Sequence, residues 1–297
     1  MTDISVVVVT WNSAAELAGL LPTIEEHLPP ETEILVIDNA STDGSVDLVR
    51  QWRWPATVIM LKENIGFGRA NNVGVREAFG KAVVLLNPDT LLVDDSLLDL
   101  ARLALQTGAL CGPELLNADG SRQPSASAIP GGWEVGLTAI FPAALMPERL
   151  SDRCEPWRAR TYTKVGWLTG ACIAAPRAVL RELGPFDERI ELYGEDMDLG
   201  LRARRSGIES IFAPDVARVV HLSERSAAKR FIDTGTAWKL RNRRLVVRRE
   251  LGRPRELYDF SAQVLFHATR YAAKTALRRN TQRERNWLAV AFRPLRS

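Results

Sequence analysis

The sequence predicts an α/β fold in which a mostly parallel sheet is flanked by helices, with a basic helical extension at the C-terminal end. Four short apolar runs rich in β-branched residues recur before residue 90, and such continuous runs are typical of strands buried on both faces. Segments of helical periodicity separate them, and this alternation implies right-handed crossovers between parallel strands. Ligands of such sheets lie beyond the carboxyl ends of the strands, so the loops there are the candidate site.

The N-terminal half supplies four expected strands, each a buried apolar run: Ile4–Thr10, Glu33–Asp38, 57–61 and 81–86. A helix is expected after each of the first three strands. Asn12 and Ser13 can cap the first helix, because their side-chain oxygens accept from free N–H groups. The second helix is expected around Val49, and the third reaches Phe79.

The second half contains shorter and less regular elements. Expected strands cover residues 109–115, 165–175, 209–213 and 216–221. Expected helices cover 133–145, the stretch from Pro176 to Leu183, the stretch from Asp196 to a stop at Gly207, and two long basic stretches at about 226–251 and 255–279. Residues 147–160 are expected to be irregular.

Composition is that of an ordinary folded protein, with 46% hydrophobic and 25% charged residues. The three cysteines are scattered and lack CxxC spacing, which favours a reducing compartment over a disulfide or zinc framework. The first strand begins at Ile4, so we expect no signal peptide. No window reaches the length of uncharged apolar sequence that a membrane span needs.

Charge is distributed unevenly along the chain. Residues 225–297 contain 19 Lys/Arg against 5 Asp/Glu, whereas the whole chain has a net charge of only +3. The sequence therefore predicts an acidic body, 1–224, and a basic helical region, 225–297. Such a region suits an anionic membrane, a polyanionic substrate or nucleic acid. The apolar stripe of its second helix fits either a membrane interface or packing on the body.

An acidic segment stands at the start of a predicted helix, where Glu195, Asp196 and Asp198 fall within four positions. Carboxylates at a helix N-terminus can be ordinary caps, or one can be positioned to remove a proton in catalysis. Polar clusters after three separate strands favour the second alternative. These clusters are Thr10/Trp11/Asn12, Asp38/Asn39 and Asn87/Asp89.

Each candidate residue also has a purely structural alternative. Asp38 can accept from a uracil or thymine N3–H or a ribose hydroxyl, or it can form an Asx turn. Asp89 can supply one oxygen to Mg²⁺ or Mn²⁺ while a diphosphate supplies others, or it can belong to a simple turn. His221 can reach the same cation, or it can end its strand without a ligand.

Two further segments allow the same choice. The segment 64–72 forms either a tight helix entry or a set of backbone donors that face a nucleotide. The arginines between 241 and 249 form either a solvated helix face or a lid that clamps a diphosphate through one or two of them.

Seven stretches, in this order, resemble family 2 glycosyltransferases, the inverting, nucleotide-sugar-dependent class with the GT-A fold. They are VVVVTWN from Val6, DNASTDGS from Asp38, NIGFGRAN from Asn64, NPD from Asn87, GWLTGA from Gly166, FDER from Phe186 and EDMDL from Glu195. The last three look most like the bacterial rhamnosyltransferase branch. That branch includes enzymes that add rhamnose from dTDP-rhamnose to a polyprenyl-diphosphate-linked sugar.

The resemblance implies a Rossmann-like GT-A catalytic domain over 1–224, with Asp196 as catalytic base and Glu195 as a contact of the acceptor hydroxyl. It implies that Asp89 and His221 contact a divalent cation, Mg²⁺ or Mn²⁺. Asn87 replaces an acid of the family's DxD pattern, so the cation has fewer protein charges. The nucleotide-sugar site is expected to comprise Thr10, Trp11, Asn12, Asp38, Asn39, Asn64, Gly66, Phe67, Asn71, Asn87, Trp167, Gly170 and Arg241.

Two rival classes explain the sequence less well. A dehydrogenase needs a Gly-rich turn after the first strand, and residues 10–13 contain no glycine. A nucleic-acid-binding protein would account for the basic region but has no use for the acidic set, so no nucleic-acid partner is expected. The expected partners are a nucleotide-diphosphate sugar, either dTDP-rhamnose or a UDP- or GDP-sugar, a glycan or lipid-linked acceptor, and an anionic membrane. This places the protein in the cytoplasm or on the cytoplasmic face of the inner membrane.

Overall fold

The structure, a computed structural model, describes residues 3–190, 193–222 and 235–292. The strands in these residues are β1 (Ile4–Thr10), β2 (Glu33–Asp38), β3 (Ala56–Met60), β4 (Ala82–Leu86), β5 (Thr90–Leu92), β6 (Leu110–Gly112), β7 (Glu114–Leu116), β8 (Ala126–Ser127), β9 (Thr163–Val165), β10 (Trp167–Leu168), β11 (Cys172–Pro176), β12 (Ser210–Phe212) and β13 (Arg218–His221).

The α-helices in the same residues are α1 (Ala14–His27), α2 (Ser45–Gln51), α3 (Phe67–Glu77), α4 (Ser96–Thr107), α5 (Trp133–Ile140), α6 (Glu148–Cys154), α7 (Arg177–Leu183), α8 (Glu195–Arg205), α9 (Gly235–Leu251), α10 (Arg253–Ala276) and α11 (Gln282–Ala291). Short 3₁₀ turns occupy Ala143–Leu145 and Pro156–Arg158. The first nine residues of the predicted helix 226–251 lie outside the described residues.

The main sheet has eight strands in the order β3-β2-β1-β4-β11-β6-β12-β9. Six of them run in one direction, and β11 and β9 run antiparallel to their neighbours. β1 lies between β2 and β4, with Thr10 opposite Asp38 and Val8 opposite Leu86. The carboxyl ends of these three strands therefore lie side by side, as the alternating pattern predicts.

The core lies on both faces of this sheet, which is why its strands read as continuous apolar runs. Val6 and Val8 of β1 belong to a cluster that includes α1 and α4, whereas Val7 belongs to a second cluster with α3 and α8. All three valines are fully buried. Each such side chain contributes about 1.5–3 kcal/mol relative to its exposed state, so β1 is the centre of the fold.

The first four strands lie within one residue of their predicted bounds, but several later elements differ. The stretch 109–115 is divided between β6 in the main sheet and β7 in a small sheet of order β5-β13-β7. The stretch 165–175 is likewise interrupted between β10 and β11. Five elements were not predicted, namely β5, β8, β9, α4 and α11, and α6 lies where an irregular segment was expected.

The C-terminal helices pack on the rest of the protein. Val246 and Val247 of α9 are buried together with Met197 and Leu201 of α8. α10 runs beside α5, where the Thr269 hydroxyl donates to the Ala139 carbonyl at 3.0 Å. Packing therefore uses part of the apolar stripe predicted for α10. No helix within the described ranges is long and apolar enough to cross a membrane.

Candidate functional site

The loops after β1 and β2 are joined by hydrogen bonds. The Asn12 N–H donates to Ser41 Oγ at 2.9 Å, and Thr42 N–H donates back to Asn12 Oδ1 at 2.7 Å. Asn12 and Ala40 both have positive φ, at 50° and 63°. Such backbone is costly for residues other than glycine and is maintained where the surroundings over-determine it. Trp11, which is half-buried, lies within this fixed turn.

Asp38 lies buried at the end of β2. One carboxylate oxygen, Oδ2, accepts from the Ser41 N–H at 3.1 Å. The other, Oδ1, is buried and has no hydrogen-bond partner among the described residues. The Asx turn therefore exists, and it still leaves one acceptor available to a ligand.

A second hydrogen-bonded unit joins β2 to α3. Asn39 Nδ2 donates to Asn64 Oδ1 at 3.0 Å, and the same Asn64 oxygen accepts from the Gly66 N–H at 3.0 Å. Gly66 has φ of 91°, a conformation that only glycine adopts without strain, and α3 begins at the next residue, Phe67. Asn71 is buried and donates to the Phe67 carbonyl at 3.0 Å. These asparagines fix the position of the loop.

The loop before β11 connects the end of β4 to the acidic segment. The Asn87 N–H donates to the Ala171 carbonyl at 2.9 Å. The adjacent Gly170 N–H donates to Asp196 Oδ2 at 3.2 Å. A side chain at Gly170 would lie within ordinary contact distance of both Asp196 and Phe67. The structure therefore brings Asn87, Gly170, Phe67 and Asp196 into one neighbourhood, as the resemblance implies.

Asp89 and His221 meet because β13 pairs with β5, which places His221 opposite Thr90. Asp89 Oδ1 lies 3.4 Å from His221 Nε2. Gln123 fixes the imidazole, since its Nε2 donates to the His221 carbonyl at 2.6 Å and its Oε1 lies 3.0 Å from Nδ1. Nδ1 is therefore the protonated nitrogen. In the neutral tautomer, the Nε2 lone pair faces a carboxylate oxygen, an arrangement suited to a shared cation.

The donor set fits a divalent cation that takes its remaining ligands from a substrate. Nowhere in the described ranges do three or more His, Cys, Asp or Glu side chains form a cluster that could hold a metal ion. Asn87 Oδ1 is buried without a partner among the described residues. Mg²⁺ sites commonly use one or two carboxylates plus phosphate oxygens, so Asp89, with His221 beside it, could hold a cation that takes its other ligands from a diphosphate.

The three carboxylates of the acidic segment have different surroundings. Burial, and after it the charge of Asp196, raise the pKa of Glu195 to about 8. Burial also raises the pKa of Asp196, while the N–H groups of Met197 and Gly170 lower it. Asp198 is fully buried between Arg202 and Arg249, which makes it an ion-pair residue. At neutral pH Glu195 is therefore largely protonated and can donate a hydrogen bond.

Two residues of α9 hold the start of α8: Lys239, which the sequence did not single out, and Asn242, which lies among the residues expected to form the lid. Asn242 Nδ2 donates to the Tyr193 carbonyl at 2.9 Å. The Lys239 ammonium lies 4.4 Å from the centroid of the Tyr193 ring, and its positive charge lowers the pKa of Asp196. Tyr193 and Gly194 have φ of 63° and 103°, so the turn before α8 is conformationally costly. Lys239 and Asn242 are one helical turn apart, which is the signal that could have found them.

The other predicted residues are the arginines of α9 and Trp167 of β10. Arg243, Arg244 and Arg249 are held in ion pairs with acids of the fold. Arg241 is exposed on α9, and none of its hydrogen bonds or ion pairs falls within the described residues. Trp167 packs against Gly200 of α8, where its Cβ would lie 2.6 Å from an added Cβ. Arg241 and Arg248, both exposed on α9, remain as candidates for the predicted clamp.

Five of the predicted site residues contain a buried polar atom without a hydrogen-bond partner among the described residues. These atoms are Thr10 Oγ1, Asp38 Oδ1, Asn87 Oδ1, Trp167 Nε1 and Glu195 Oε2. An unsatisfied buried polar group costs about 1–3 kcal/mol. Four of these atoms lie at the ends of β1, β2 and β4 and at the start of α8, where a polar ligand would complete their hydrogen bonds, and Trp167 Nε1 lies on β10.

The chain is similar in sequence to a known family and to an individual enzyme. Residues 5–182 match the family described as Glycosyl transferase family 2. The N-acetylglucosaminyl-diphospho-decaprenol L-rhamnosyltransferase of Mycobacterium tuberculosis is 33% identical over 254 residues, which cover 77% of this chain and 79% of the relative.

Two solved structures share the fold. One is the mannosyltransferase PcManGT from Pyrobaculum calidifontis in complex with GDP-Man and Mn²⁺, with a TM-score of 0.61, 19% identity, and coverage of 97% of this chain and 84% of that one. The other is GalNAc-T7 with UDP, GalNAc and Mn²⁺, with a TM-score of 0.60 and 17% identity. That match covers 83% of this chain, which spans 48% of the GalNAc-T7 chain.

Proposed function

The chain belongs to glycosyl transferase family 2 and has the GT-A fold, and on that premise we propose that it transfers L-rhamnose from dTDP-rhamnose with inversion of the anomeric configuration. The proposed acceptor is a hydroxyl of a sugar on a polyprenyl diphosphate, in the synthesis of a cell-envelope polysaccharide. The mycobacterial rhamnosyltransferase, whose name specifies a diphospho-decaprenol acceptor, supports both choices. A UDP- or GDP-sugar donor is the alternative.

One observation supports the reaction class most directly. Two hydrogen bonds, joined by the backbone of Gly170 and Ala171, link Asn87 to Asp196. A transferase needs its leaving-group site and its base on opposite sides of one sugar, and this path joins the two regions. Either region alone would be consistent with a simple binding protein.

We infer the following roles for the acidic pair. A sugar hydroxyl is a weak nucleophile, so a carboxylate must accept its proton during attack on the anomeric carbon. Asp196 is the proposed base, because two backbone N–H groups fix its orientation. Protonated Glu195 would hold the acceptor by donating a hydrogen bond. Direct attack opposite the leaving nucleotide inverts the anomeric configuration.

Asp89 and His221 are the residues that would hold a divalent cation, Mg²⁺ or Mn²⁺. When bound, such a cation would neutralise the charge that develops on the departing diphosphate. Asp38 Oδ1 would accept from the thymine N3–H or a ribose hydroxyl. The loops that contain Asn12 and Asn64 would shape the nucleotide pocket, and Arg241 would contact the diphosphate.

The proposal also covers the organisation and location of the protein. We propose a catalytic domain over 1–224 and a basic region over 225–297 that acts as a lid and contacts the membrane. The site of action would be the cytoplasmic face of the inner membrane, where anionic lipids attract basic segments. No nucleic acid is part of the proposed function.

Nucleoside diphosphate release tests the proposal with dTDP-rhamnose, UDP-GlcNAc and GDP-mannose, each with and without an N-acetylglucosaminyl diphosphate lipid as acceptor and with Mg²⁺ or Mn²⁺. We expect acceptor-dependent release to be fastest with dTDP-rhamnose. Equal or faster release with another donor would contradict the rhamnosyl assignment. Absence of acceptor-dependent release with every donor would contradict transfer to this acceptor.

The same assay applied to Asp196→Asn tests the proposed base. Asp99→Asn, an exposed change on α4, is the matched control.

A further inference from the structure

An apolar surface lies between α5 and α10, away from the polar site. A groove of about 520 Å³ runs between the two helices, lined by Trp133, Ile140 and Leu265 among others. The chain that follows α5 then exposes more apolar area, with Ile140 60%, Phe141 57% and Leu145 81% exposed. We call these residues, with Tyr258, the apolar patch: Trp133, Ile140, Phe141, Leu145, Tyr258 and Leu265.

This concentration is unusual for a surface. Single exposed apolar side chains need no explanation, whereas a contiguous patch marks an interaction site. Three large apolar side chains fall within six residues of one turn, between Ile140 and Leu145. Trp133 adds an amphipathic ring, and the Arg153 guanidinium lies 5.0 Å from its centroid. Arginine and tryptophan together are typical of surfaces that lie at the level of lipid headgroups.

Charge around the patch indicates what covers it. Residues 235–292 contain 14 Lys/Arg against 4 Asp/Glu. The four acids, Glu250, Asp259, Glu256 and Glu284, are all held in ion pairs within the fold. None of these acids is available to neutralise the exposed arginines, so residues 235–292 present positive charge to solvent.

Two exposed arginines lie beside the patch, one from residues 235–292 and one from α6. Arg255 adjoins Gly131, two residues before Trp133, because an added Cβ at Gly131 would lie 2.7 Å from the Arg255 carbonyl. Arg149 is exposed on α6, four residues after Leu145. Glu148 is an exposed acid of the same helix, while Glu134 is paired with Arg153. Apolar side chains bordered by cations complement an anionic bilayer surface.

We propose that the apolar patch is the surface by which this protein inserts into the headgroup region of an anionic lipid bilayer. The inference deepens the proposed function, because an acceptor on a lipid anchor must be met at a bilayer surface. The proposal adds the turn between α5 and α6 to the α10 stripe, of which Leu257 and Leu265 remain 47% and 43% exposed.

Co-sedimentation of the full chain with vesicles tests this surface. Vesicles of phosphatidylglycerol with phosphatidylcholine are compared with vesicles of phosphatidylcholine alone, at low and at high salt. We expect binding to the anionic vesicles only, and weaker binding in high salt. Leu145→Ser should weaken binding about tenfold, a loss of about 1.4 kcal/mol, because it removes an inserted apolar side chain. Phe141→Ser should have a similar effect.

Phe79→Ser is the matched control. Phe79 is 76% exposed after α3 and lies outside the basic region, so its removal should leave vesicle binding unchanged. Overturning results would be absence of wild-type binding at low salt, equal binding by Leu145→Ser, or an equal loss in Phe79→Ser. A change of oligomeric state on mutating the patch, measured by light scattering, would instead identify a second copy as the occupant and overturn the proposal.

Transfer to a short-chain, water-soluble acceptor separates this inference from the proposed function. The patch variants should keep wild-type transfer to that acceptor while they lose vesicle binding. A wild-type protein that binds vesicles but transfers no sugar would contradict the proposed function and leave the membrane surface intact.

Discussion

Asp196 and Glu195 are adjacent buried acids, and burial is the largest cause that raises the pKa of each carboxyl. Two backbone N–H groups and the charge of Lys239 act in the opposite direction on Asp196 and favour its charged form. The charge of Asp196 in turn raises the pKa of Glu195. These contacts bias the pair towards a charged Asp196 and a protonated Glu195, the forms that a base and a hydrogen-bond donor need.

Replacing Asp196 by Asn tests the role of the base. The amide cannot accept a proton, so turnover should fall roughly 10²–10⁴-fold, the range for loss of a general base. Binding of the donor should change little, because the amide keeps the shape of the side chain. Turnover and donor affinity are measured separately, and near-normal turnover would remove Asp196 from this role.

Replacing Lys239 by Met tests the pH dependence. A general base acts only when deprotonated, so activity is lost as pH falls through its pKa. The Lys239 charge lowers the pKa of Asp196, and its removal should therefore move the acidic limb of the kcat/KM profile to higher pH. Lys239→Arg should restore the wild-type profile. An unchanged limb in Lys239→Met would show that this charge does not act on the base.

At the scale of elements, one buried arginine holds the acidic segment in place. Arg202 Nε donates to Asp198 Oδ2 at 2.7 Å, and its other nitrogens donate to the carbonyls of Leu183, Gly184 and Pro185. The same Asp198 also pairs with Arg249 of α9. This network joins α7, α8 and α9 and so fixes the helix that presents Asp196.

Arg202→Met should lower the free energy of unfolding by about 3 kcal/mol, because it removes a partner from a buried charge. Arg204→Met, on the exposed side of the same helix, should change it by less than about 0.5 kcal/mol. Urea denaturation monitored by circular dichroism measures both. Equal effects of the two substitutions would contradict a structural role of this network.

Strands that are buried on both faces were predictable from the sequence. The runs Ile4–Thr10 and Glu33–Asp38 match β1 and β2 because a continuous β-branched run fits only a strand covered on both faces. The small sheet of β5, β13 and β7 was not predictable, since its short strands pair across long stretches of chain. That sheet brings His221 to Asp89, which the resemblance implied and local pattern did not.

The same limit applies to the site. Asp38, Asp89 and Asp196 could be predicted as candidates because each stands at the end of a strand or the start of a helix. Gln123 and Lys239 were missed, because their positions depend on tertiary packing and not on periodicity. The sequence pattern locates the polar residues at the ends of strands and helices. The side chains that orient those residues come from distant segments of the chain.

At the scale of the whole molecule, the polar candidate site and the apolar patch lie in separate regions. The polar site lies at the carboxyl edge of the main sheet, and the apolar patch lies between α5 and α10 with the basic helices. α9 connects them, since it packs on α8 through Val246 and Val247 and its Arg243 pairs with Asp259 of α10. A substrate with a polar head and a lipid anchor would need both regions.

The central claim is that the unsatisfied polar atoms at the sheet edge bind a nucleotide diphosphate and a cation beside Asp196. A crystal structure with dTDP and Mn²⁺ measures this directly. We predict anomalous density for Mn²⁺ within about 2.0–2.5 Å of an Asp89 oxygen, with the base at Asp38 and the diphosphate facing Asp196. Nucleotide bound elsewhere, or Mn²⁺ remote from Asp89, would contradict the account.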